Sequence, residues 1–370
     1  MSISIDSVKG DLVREPKRKR LDGDRSAIAR VSILILAGAL LVAMFASLTT
    51  GSSNASALAV VKYWLGIAGG ENAMTTLDSI VINDIRMPRM ILGSLVGASL
   101  AVSGAIMQGL FRNPLADPGL IGVSAGAGLG AVSIIVLGGT TLAPLTGFLG
   151  IYALPLSAFF GALASTMLLY KIATRHGQTS IATMLLAGIA LGALAGALTG
   201  IFVYIADDAQ LRDLTFWGMG SLAGSSWDKI WAAGPIIVVA LVATPFLARG
   251  LNGLALGEAT ANHLGIPVQT FKNIAIVTVA AATGASVAVS GGIGFIGIVV
   301  PHLLRLVIGP DHRYLLPASA LLGAIMLLFA DAISRTVVAP AELPIGIITA
   351  VGGAPFFLWI LLHRRGMLGM

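Results

Sequence analysis

The chain has 370 residues, of which 56% are hydrophobic and only 11% are charged. Soluble domains carry about 25% charged residues, so this composition excludes a large soluble protein and indicates one embedded in a lipid bilayer. The absence of cysteine excludes disulfide scaffolds and thiolate sites, and the net charge of +6 is typical of basic cytoplasmic loops rather than of nucleic-acid binding.

Residues 1–30 form a polar, basic segment that includes Lys17-Arg18-Lys19-Arg20. We interpret it as a cytoplasmic tail. The apolar run that follows is longer than the roughly 7–15 residues of a signal-peptide core, so we interpret it as an uncleaved membrane anchor. Residues 31–370 then form one membrane domain.

Long apolar runs follow one another along this domain. A spanning helix needs about 20 apolar residues, whereas a membrane barrel shows alternating stretches of about 10. The runs are continuous, so they predict an all-α integral membrane protein with about ten transmembrane helices. We expect these at 31–50, 87–111, 119–138, 150–170, 181–205, 229–248, 273–290, 292–309, 315–335 and 343–362.

Ten spans put both termini on the same side of the membrane. The basic segments after the second, fourth, sixth, eighth and tenth spans then fall together with the basic N-terminus, which the positive-inside trend places in the cytoplasm. The polar segments 51–85 and 206–228 are expected outside. The longest polar loop of the apolar body, 249–272, is expected in the cytoplasm.

Glycines recur every fourth residue in three spans. Such stripes let helix backbones approach closely, and the alternative reading is a set of helices that slide during transport. The stripes are Gly93 and Gly97; Gly122, Gly126 and Gly130; and Gly188, Gly192, Gly196 and Gly200.

No motif for catalysis or nucleotide binding is found in the sequence. A Gly-x-x-x-x-Gly-Lys-Ser/Thr loop, a His-Glu-x-x-His helix and a Gly-x-Ser-x-Gly elbow are all missing, so we predict that the chain is not an enzyme. His302 and His312 lie near the cytoplasmic face without further ligand residues around them, and no metal site is predicted. Intramembrane charge, with Asp331 as the nearest candidate, is too sparse to favour a proton-coupled path.

Two long motifs give the chain a specific resemblance. The first joins Arg86-Met87-Pro88-Arg89 to Gln108–Gly122, and the second runs from Gly294 to Arg305. With Asp311-His312-Arg313 and Glu342–Gly346, they make the chain from about residue 31 onward resemble the FecCD-type permeases of bacterial ABC importers for ferric siderophores, heme and cobalamin.

The resemblance implies a homodimer of ten-helix subunits in the bacterial inner membrane, with the type II ABC importer architecture. Two ATPase subunits would bind ATP and Mg on the cytoplasmic side, and a periplasmic substrate-binding protein would dock outside. The chain itself would bind no cofactor. A secondary transporter driven by an ion gradient remains the more distant alternative.

The resemblance also implies roles for particular residues. Arg86, Arg89 and Arg335 would meet carboxylates of the binding protein; the alternative is that they are ordinary interfacial arginines, with Arg335 pairing with Asp331. Coupling to the ATPase would lie in a segment that is otherwise a solvated loop, at Gly257, Glu258, Ala259, Leu264 and Gly265.

Asn113 and Leu115 match positions of the inner gate, although Pro114 and Pro118 by themselves account for a turn there. A second constriction is expected at Thr179 and Ser180. The stretches Thr215–Leu222 and Phe111–Pro114 resemble heme permeases within the family, so heme is the expected transported substrate. Ferric siderophore and cobalamin stay as alternatives.

Overall fold

The computed structural model of the protein describes residues 24–51, 76–175 and 178–363. Within them, ten apolar helices coincide one by one with the ten predicted spans, which confirms the all-α membrane architecture. They are α1 (Ser26–Thr49), α2 (Met87–Phe111), α3 (Val123–Leu137), α4 (Ala153–Ala173), α5 (Ile181–Ile205), α6 (Trp227–Ala255), α7 (Val268–Ser290), α8 (Ile296–Ile308), α9 (His312–Thr336) and α10 (Ile345–His363).

Seven of these helices are long and apolar enough to cross a membrane, if the helical turns before α2 and α4 are counted with them. The other three, α3, α8 and α10, are shorter apolar helices. Shorter elements complete the described chain: Thr76–Ser79, the π-helical Ile80–Arg86, Pro118–Ile121, Ala143–Leu149, Gly150–Tyr152, Asp208–Gly218, Glu258–His263, and the antiparallel strands β1 (Thr174–Arg175) and β2 (Gln178–Thr179).

Several predicted boundaries need correction. Helix α1 begins at Ser26, so residues 26–30 belong to the helix rather than to the tail; residues 1–23 lie outside the described residues. In the predicted outer segment 51–85, residues 76–86 are helical and lead into α2, because Ile82 and Arg86 turn inward and are buried.

Two predicted loops are partly helical. The segment 206–228 contains Asp208–Gly218, which starts with a capping box between Asp207 and Gln210. The segment 249–272 shrinks to 256–267, since α6 continues to Ala255 and α7 begins at Val268. Polar Asn252 belongs to α6 because its side chain bonds to Asp311 at 2.7 Å.

Helix α2 forms the centre of the bundle and is packed by α6, α7, α8 and α9. Its glycines permit this. A Cβ on Gly97 would lie 2.4 Å from the carbonyl oxygen of Gly323 on α9, and a Cβ on Gly104 would lie inside the backbone of Gly297 on α8. The stripe on α3 packs in the same way, with Gly126 against Gly161 of α4.

The bundle has two ends, which we name by their features. The arginine end carries Arg86, Arg89 and Arg335, and there the end of α1 meets the start of α2 and the end of α9. The coupling-loop end carries the helix Glu258–His263. Helix α1 begins at this second end, where Arg25 donates to the Leu306 carbonyl at 3.2 Å.

Candidate functional site

Arg89 is the centre of a charged cluster at the arginine end. Its Nε donates to Asp331 Oδ1 at 2.9 Å, and its Nη2 lies 2.8 Å from the same oxygen. Its Nη1 donates to both carboxylate oxygens of Glu342 at 2.9 Å. Such a fork grips two carboxylates with fixed geometry, so α2, α9 and the segment before α10 are joined by one side chain.

Arg335 completes the cluster from one helical turn beyond Asp331. Its Nη2 lies 2.9 Å from Asp331 Oδ2, so the Arg335–Asp331 pairing considered from the sequence is present. Its Nη1 also donates to the Thr50 carbonyl at 2.9 Å, and Arg86 Nη1 donates to the Leu48 carbonyl at 2.7 Å. Both arginines therefore hold the C-terminal end of α1.

All three arginines are at the predicted end of the bundle, but their side chains are buried. Arg86, Arg89 and Arg335 are 3%, 4% and 6% exposed, and Asp331 is fully buried. The side chain of Glu342 is 36% exposed and is the part of the cluster that reaches the surface. A buried charge needs a paired, hydrogen-bonded partner, and here the partners come from the same chain.

The predicted coupling segment is a short helix, Glu258–His263, between two glycines in the left-handed region. Gly257 has φ 103° and Gly265 has φ 76°, conformations that side chains other than glycine's disfavour. Ala259 is exposed, and Leu264 is 55% exposed beside Leu256 at 65%. The short helix and the two glycine turns that flank it thus expose apolar side chains on one surface.

The same helix is fixed to the bundle from beneath. Glu258 Oε1 lies 2.8 Å from Lys272 Nζ on α7, and Lys272 is almost fully buried. Ala261 is buried, and Ile266 packs so closely on α6 that a Cβ on Gly253 would lie 2.2 Å from its Cδ1. A force on the exposed face is therefore passed to α6 and α7 rather than absorbed in a loose loop.

Asn113 and Leu115 follow α2 directly, as expected. Arg112 ends the helix with φ 50°, and Asn113 is exposed and accepts a hydrogen bond from the Leu115 amide at 3.0 Å. This is the local turn that the sequence also allowed.

The segment after this turn re-enters the bundle, although the sequence was interpreted as a cytoplasmic loop there. Asp117 lines a cavity of about 30 Å³ with Leu100 of α2 and Thr283 of α7. Leu100 lies 11 residues before Phe111, or about 16 Å along the helix at 1.5 Å per residue. Irregular backbone at that depth is tolerated only within protein, and it explains why α3 starts as late as Val123.

Asp117 is an interior carboxylate that the sequence analysis missed. Its Oδ1 accepts from the Gly119 amide at 2.8 Å, and Gly297 permits the approach of Oδ2 because it lacks a Cβ. Thr283 in the same cavity has a buried hydroxyl that finds no hydrogen-bond partner among the described residues. The available signal in the sequence was Asp117 between Pro114 and Pro118. The prolines rule out a continuous helix there, but they do not rule out a segment that returns into the membrane.

Thr179 and Ser180 lie at the start of α5. Thr179 is buried, and both its amide and its hydroxyl bond to Gln269 of α7, at 3.1 Å and 2.6 Å. Ser180 is exposed and caps α5 by accepting from the Thr183 amide at 3.3 Å. The structure therefore connects the second predicted constriction to α7, which the sequence did not indicate.

His302 and His312 belong to different clusters. His302 packs edge-on against Phe356, with ring centroids 6.2 Å apart. His312 Nδ1 lies 2.8 Å from Asn252 Oδ1. Among the residues that the structure describes, no three His, Cys, Asp or Glu side chains are grouped to hold a metal ion.

Comparison with known proteins agrees with this architecture. The model of the FecCD transport family matches residues 39–363. The hemin transport system permease protein of Yersinia pestis is 46% identical over 336 residues, covering 91% of this chain and 98% of that protein. The vitamin B12 import system permease protein of Salmonella paratyphi A is 44% identical, covering 83% and 93%.

A solved structure has the same fold. It is described as an inward-facing conformation of a putative metal-chelate type ABC transporter, and it is 31% identical to this chain with a TM-score of 0.77. The alignment covers 90% of this chain and 98% of that structure. Because the family model spans nearly all of the membrane domain, the chain belongs to the FecCD transport family.

Proposed function

We propose that the chain is the membrane-spanning subunit of an ABC importer that moves heme across the bacterial inner membrane by alternating access. ATP hydrolysis takes place on two separate ATPase subunits, and both termini of the chain are cytoplasmic. The observation that carries the proposal is the helix Glu258–His263, which is exposed on one face and firmly mounted on the other. A transporter driven by an ion gradient has no need of such a lever.

The ATPase subunit meets this helix in the proposed assembly. Leu256 and Leu264 are exposed on either side of this helix, and burying them against a protein partner would be favourable. Leu264 and Leu256 supply that apolar contact, and Glu258–Lys272 passes movement of the helix to α7. Gly257, Ala259 and Gly265 keep the helix short and its exposed face flat.

A second copy of the chain pairs with the first, and substrate passes between the two. Helix α5 supports this arrangement, because Gly192, Gly196 and Gly200 have no atom within 4 Å of an added Cβ. Asn113 and Leu115 form the inner gate, and Thr179 and Ser180 form the second constriction. A short polar residue beside a leucine closes such a path with little adhesion to the cargo.

The periplasmic binding protein docks at the arginine end. Its carboxylates are attracted by the net positive potential of Arg86, Arg89 and Arg335, which Glu342 partly neutralises at the surface. Charge reversal of these arginines is a poor test, because Asp331 and Glu342 would then lose their partner inside the chain.

Heme is the proposed cargo because the hemin permease matches 98% of its own length at 46% identity. A ferric siderophore and cobalamin are the alternatives; two cobalamin or vitamin B12 permeases match at 45% and 44% over smaller shares of this chain. The apolar, glycine-rich helices offer few groups for recognition, so the binding protein selects the cargo.

The experiment is uptake by proteoliposomes that hold the permease with and without its ATPase subunits. Heme, a ferric siderophore and cobalamin are offered in parallel, each on its binding protein. We expect heme uptake that requires the ATPase and ATP. Uptake that persists without the ATPase and collapses with an ionophore would contradict the importer, whereas ATP-dependent uptake of another cargo would correct the substrate alone.

A further inference from the structure

A polar cluster connects α7 to the start of α5 through Thr179 of the second constriction, and its other members have no role in the function proposed above. We call it the glutamine clamp. It lies at the coupling-loop end, where α4 ends and α7 begins, and it consists of Tyr170, Thr174, Thr179, Gln269 and Asn273.

Gln269 holds Thr179 by two bonds at once. Its Oε1 accepts from the Thr179 amide at 3.1 Å, and its Nε2 donates to the Thr179 hydroxyl at 2.6 Å. The orientation of the amide group is settled by chemistry, because a backbone N–H only donates. One side chain of α7 thus fixes both the backbone and the side chain of a residue 90 positions earlier.

The remaining members hold Gln269 in place. Its Nε2 also donates to Asn273 Oδ1 at 3.0 Å, and the Tyr170 hydroxyl donates to the same oxygen. The Thr179 and Thr174 hydroxyls lie 2.9 Å apart across the two strands. Polar networks that satisfy their members in this way have one preferred arrangement and resist gradual deformation.

The clamp has the coupling helix on one side. Lys272, which pairs with Glu258, lies three residues after Gln269 on α7. Residues three apart are neighbours on a helix surface, so movement of the short helix reaches Gln269 within one turn.

The clamp has α5 on the other side. Ser180 directly follows Thr179 and caps α5, and its amide donates to the Ala173 carbonyl at 3.0 Å. Only 11% of the most apolar stretch of α5 is buried in the chain. Helix α5 packs on α3 and α4 along one face, and its first turn is tied to α7 through Thr179 and Gln269.

We propose that Gln269 is a positioning residue that transmits the movement of the coupling helix to the second constriction at the start of α5. The inference rests on the proposed function, and it names the contact through which the coupling helix and the second constriction communicate. Without the clamp, the ATPase moves α7 while α5 stays behind, so ATP is hydrolysed without matching uptake.

The test uses the reconstituted complex and the absence of cysteine in the chain. Ala182 is exposed in the first turn of α5, and Ala182→Cys gives a single thiol whose reaction rate with a hydrophilic maleimide is measured with and without ATP and vanadate. Gln269→Leu removes the clamp. Thr179→Val removes the hydroxyl bonds to Gln269 and Thr174 and keeps the amide bond to Gln269. Thr278→Val is the matched control, since that hydroxyl bonds to its own helix on α7 at 2.8 Å.

We expect Gln269→Leu to keep ATP hydrolysis, to lower uptake roughly tenfold, and to abolish the nucleotide dependence of labelling, since both partly buried bonds to Thr179 are lost. Thr179→Val should lie between it and the control, because the amide bond to Gln269 is kept. Added to Gln269→Leu, it should lower uptake by less than it does alone, since only the Thr174 bond is then left to lose. Nucleotide-dependent labelling and full uptake in Gln269→Leu would overturn the clamp alone. A native complex without ATP-dependent uptake would overturn the proposed function first.

Discussion

Helices α2 and α5 are alike in sequence and opposite in environment. Each has 25 residues and a stripe of glycines four apart. In the most apolar stretch of each helix, 83% of the residues are buried in α2, against 11% in α5. A Cβ on Gly97 would meet the backbone of Gly323, whereas one on Gly196 would meet nothing within 4 Å.

The difference shows that a glycine stripe indicates a close neighbour without saying which chain supplies it. In α2 the neighbour is α9 of the same chain. In α5 the described residues supply no close neighbour for Gly192, Gly196 and Gly200. Such small residues are typical of helix–helix contacts rather than of lipid-facing surfaces. The fold of one subunit therefore depends on α2, and the assembly depends on α5.

The largest effect is expected where backbone meets backbone. Gly97→Leu places a side chain where the Gly323 carbonyl lies 2.4 Å from the new Cβ. Ordinary overpacking costs about 1–3 kcal/mol, and here rigid backbone has to move, so we expect little folded protein. Gly38→Leu is the control, because its surroundings are open. Size-exclusion profiles and melting in detergent compare the two, and equal melting temperatures would refute the assignment of α2 as the packed centre.

A smaller loss is expected from the charged cluster that joins α2 to α9. Asp331→Ala leaves Arg89 and Arg335 without their shared buried partner. Breaking a buried pair costs about 3–5 kcal/mol, and melting in detergent should fall accordingly. Asp228→Ala, at an exposed carboxylate of the same end, serves as the control. If both variants melt alike, the cluster does not stabilise the bundle.

Gly196→Leu on α5 tests the other half of the comparison. The single chain should melt as before, because nothing lies within 4 Å of the added Cβ. Uptake and the yield of the dimer should both fall, since the bulkier stripe prevents close approach of a second copy. The same substitution at Gly38, on exposed α1, should leave both unchanged. A Gly196→Leu protein that unfolds as a monomer would show that α5 is packed within its own chain.

Sequence alone predicted the ten helices, because apolar length is a local property. The candidate site residues were implied by the family resemblance, and their roles stay predictions. The Arg335–Asp331 pair was also within reach, as the two residues are one helical turn apart. The partners of Arg89 and Thr179 were not, since they lie 242 and 90 positions away and carry no local signal. Asp117 was placed in a loop because hydropathy cannot distinguish a turn at the surface from one that re-enters the bundle.

The smallest effect concerns docking at the arginine end. Glu342 is 36% exposed and neutralises Arg89 from the surface side, while Asp331 continues to hold Arg89 from within. Glu342→Gln therefore adds one net positive charge there without leaving a buried charge unpaired. Exposed pairs are worth about 0.2–1 kcal/mol, so affinity for an acidic binding protein should rise by a factor of roughly 1.4 to 5 at low salt and not at high salt.

The matched control for this measurement is Asp24→Asn, which makes the same charge change at an exposed carboxylate of the coupling-loop end, next to Arg25. The asparagine keeps an oxygen that can accept from the Ser26 amide, as Asp24 does. A rise with Glu342→Gln only would assign docking to the arginine end. An equal rise in both variants would indicate general attraction by net charge. A rise in neither would refute docking through the arginine cluster, because a protein docked there would feel the charge of residue 342 within the roughly 10 Å range of a local potential at ordinary salt.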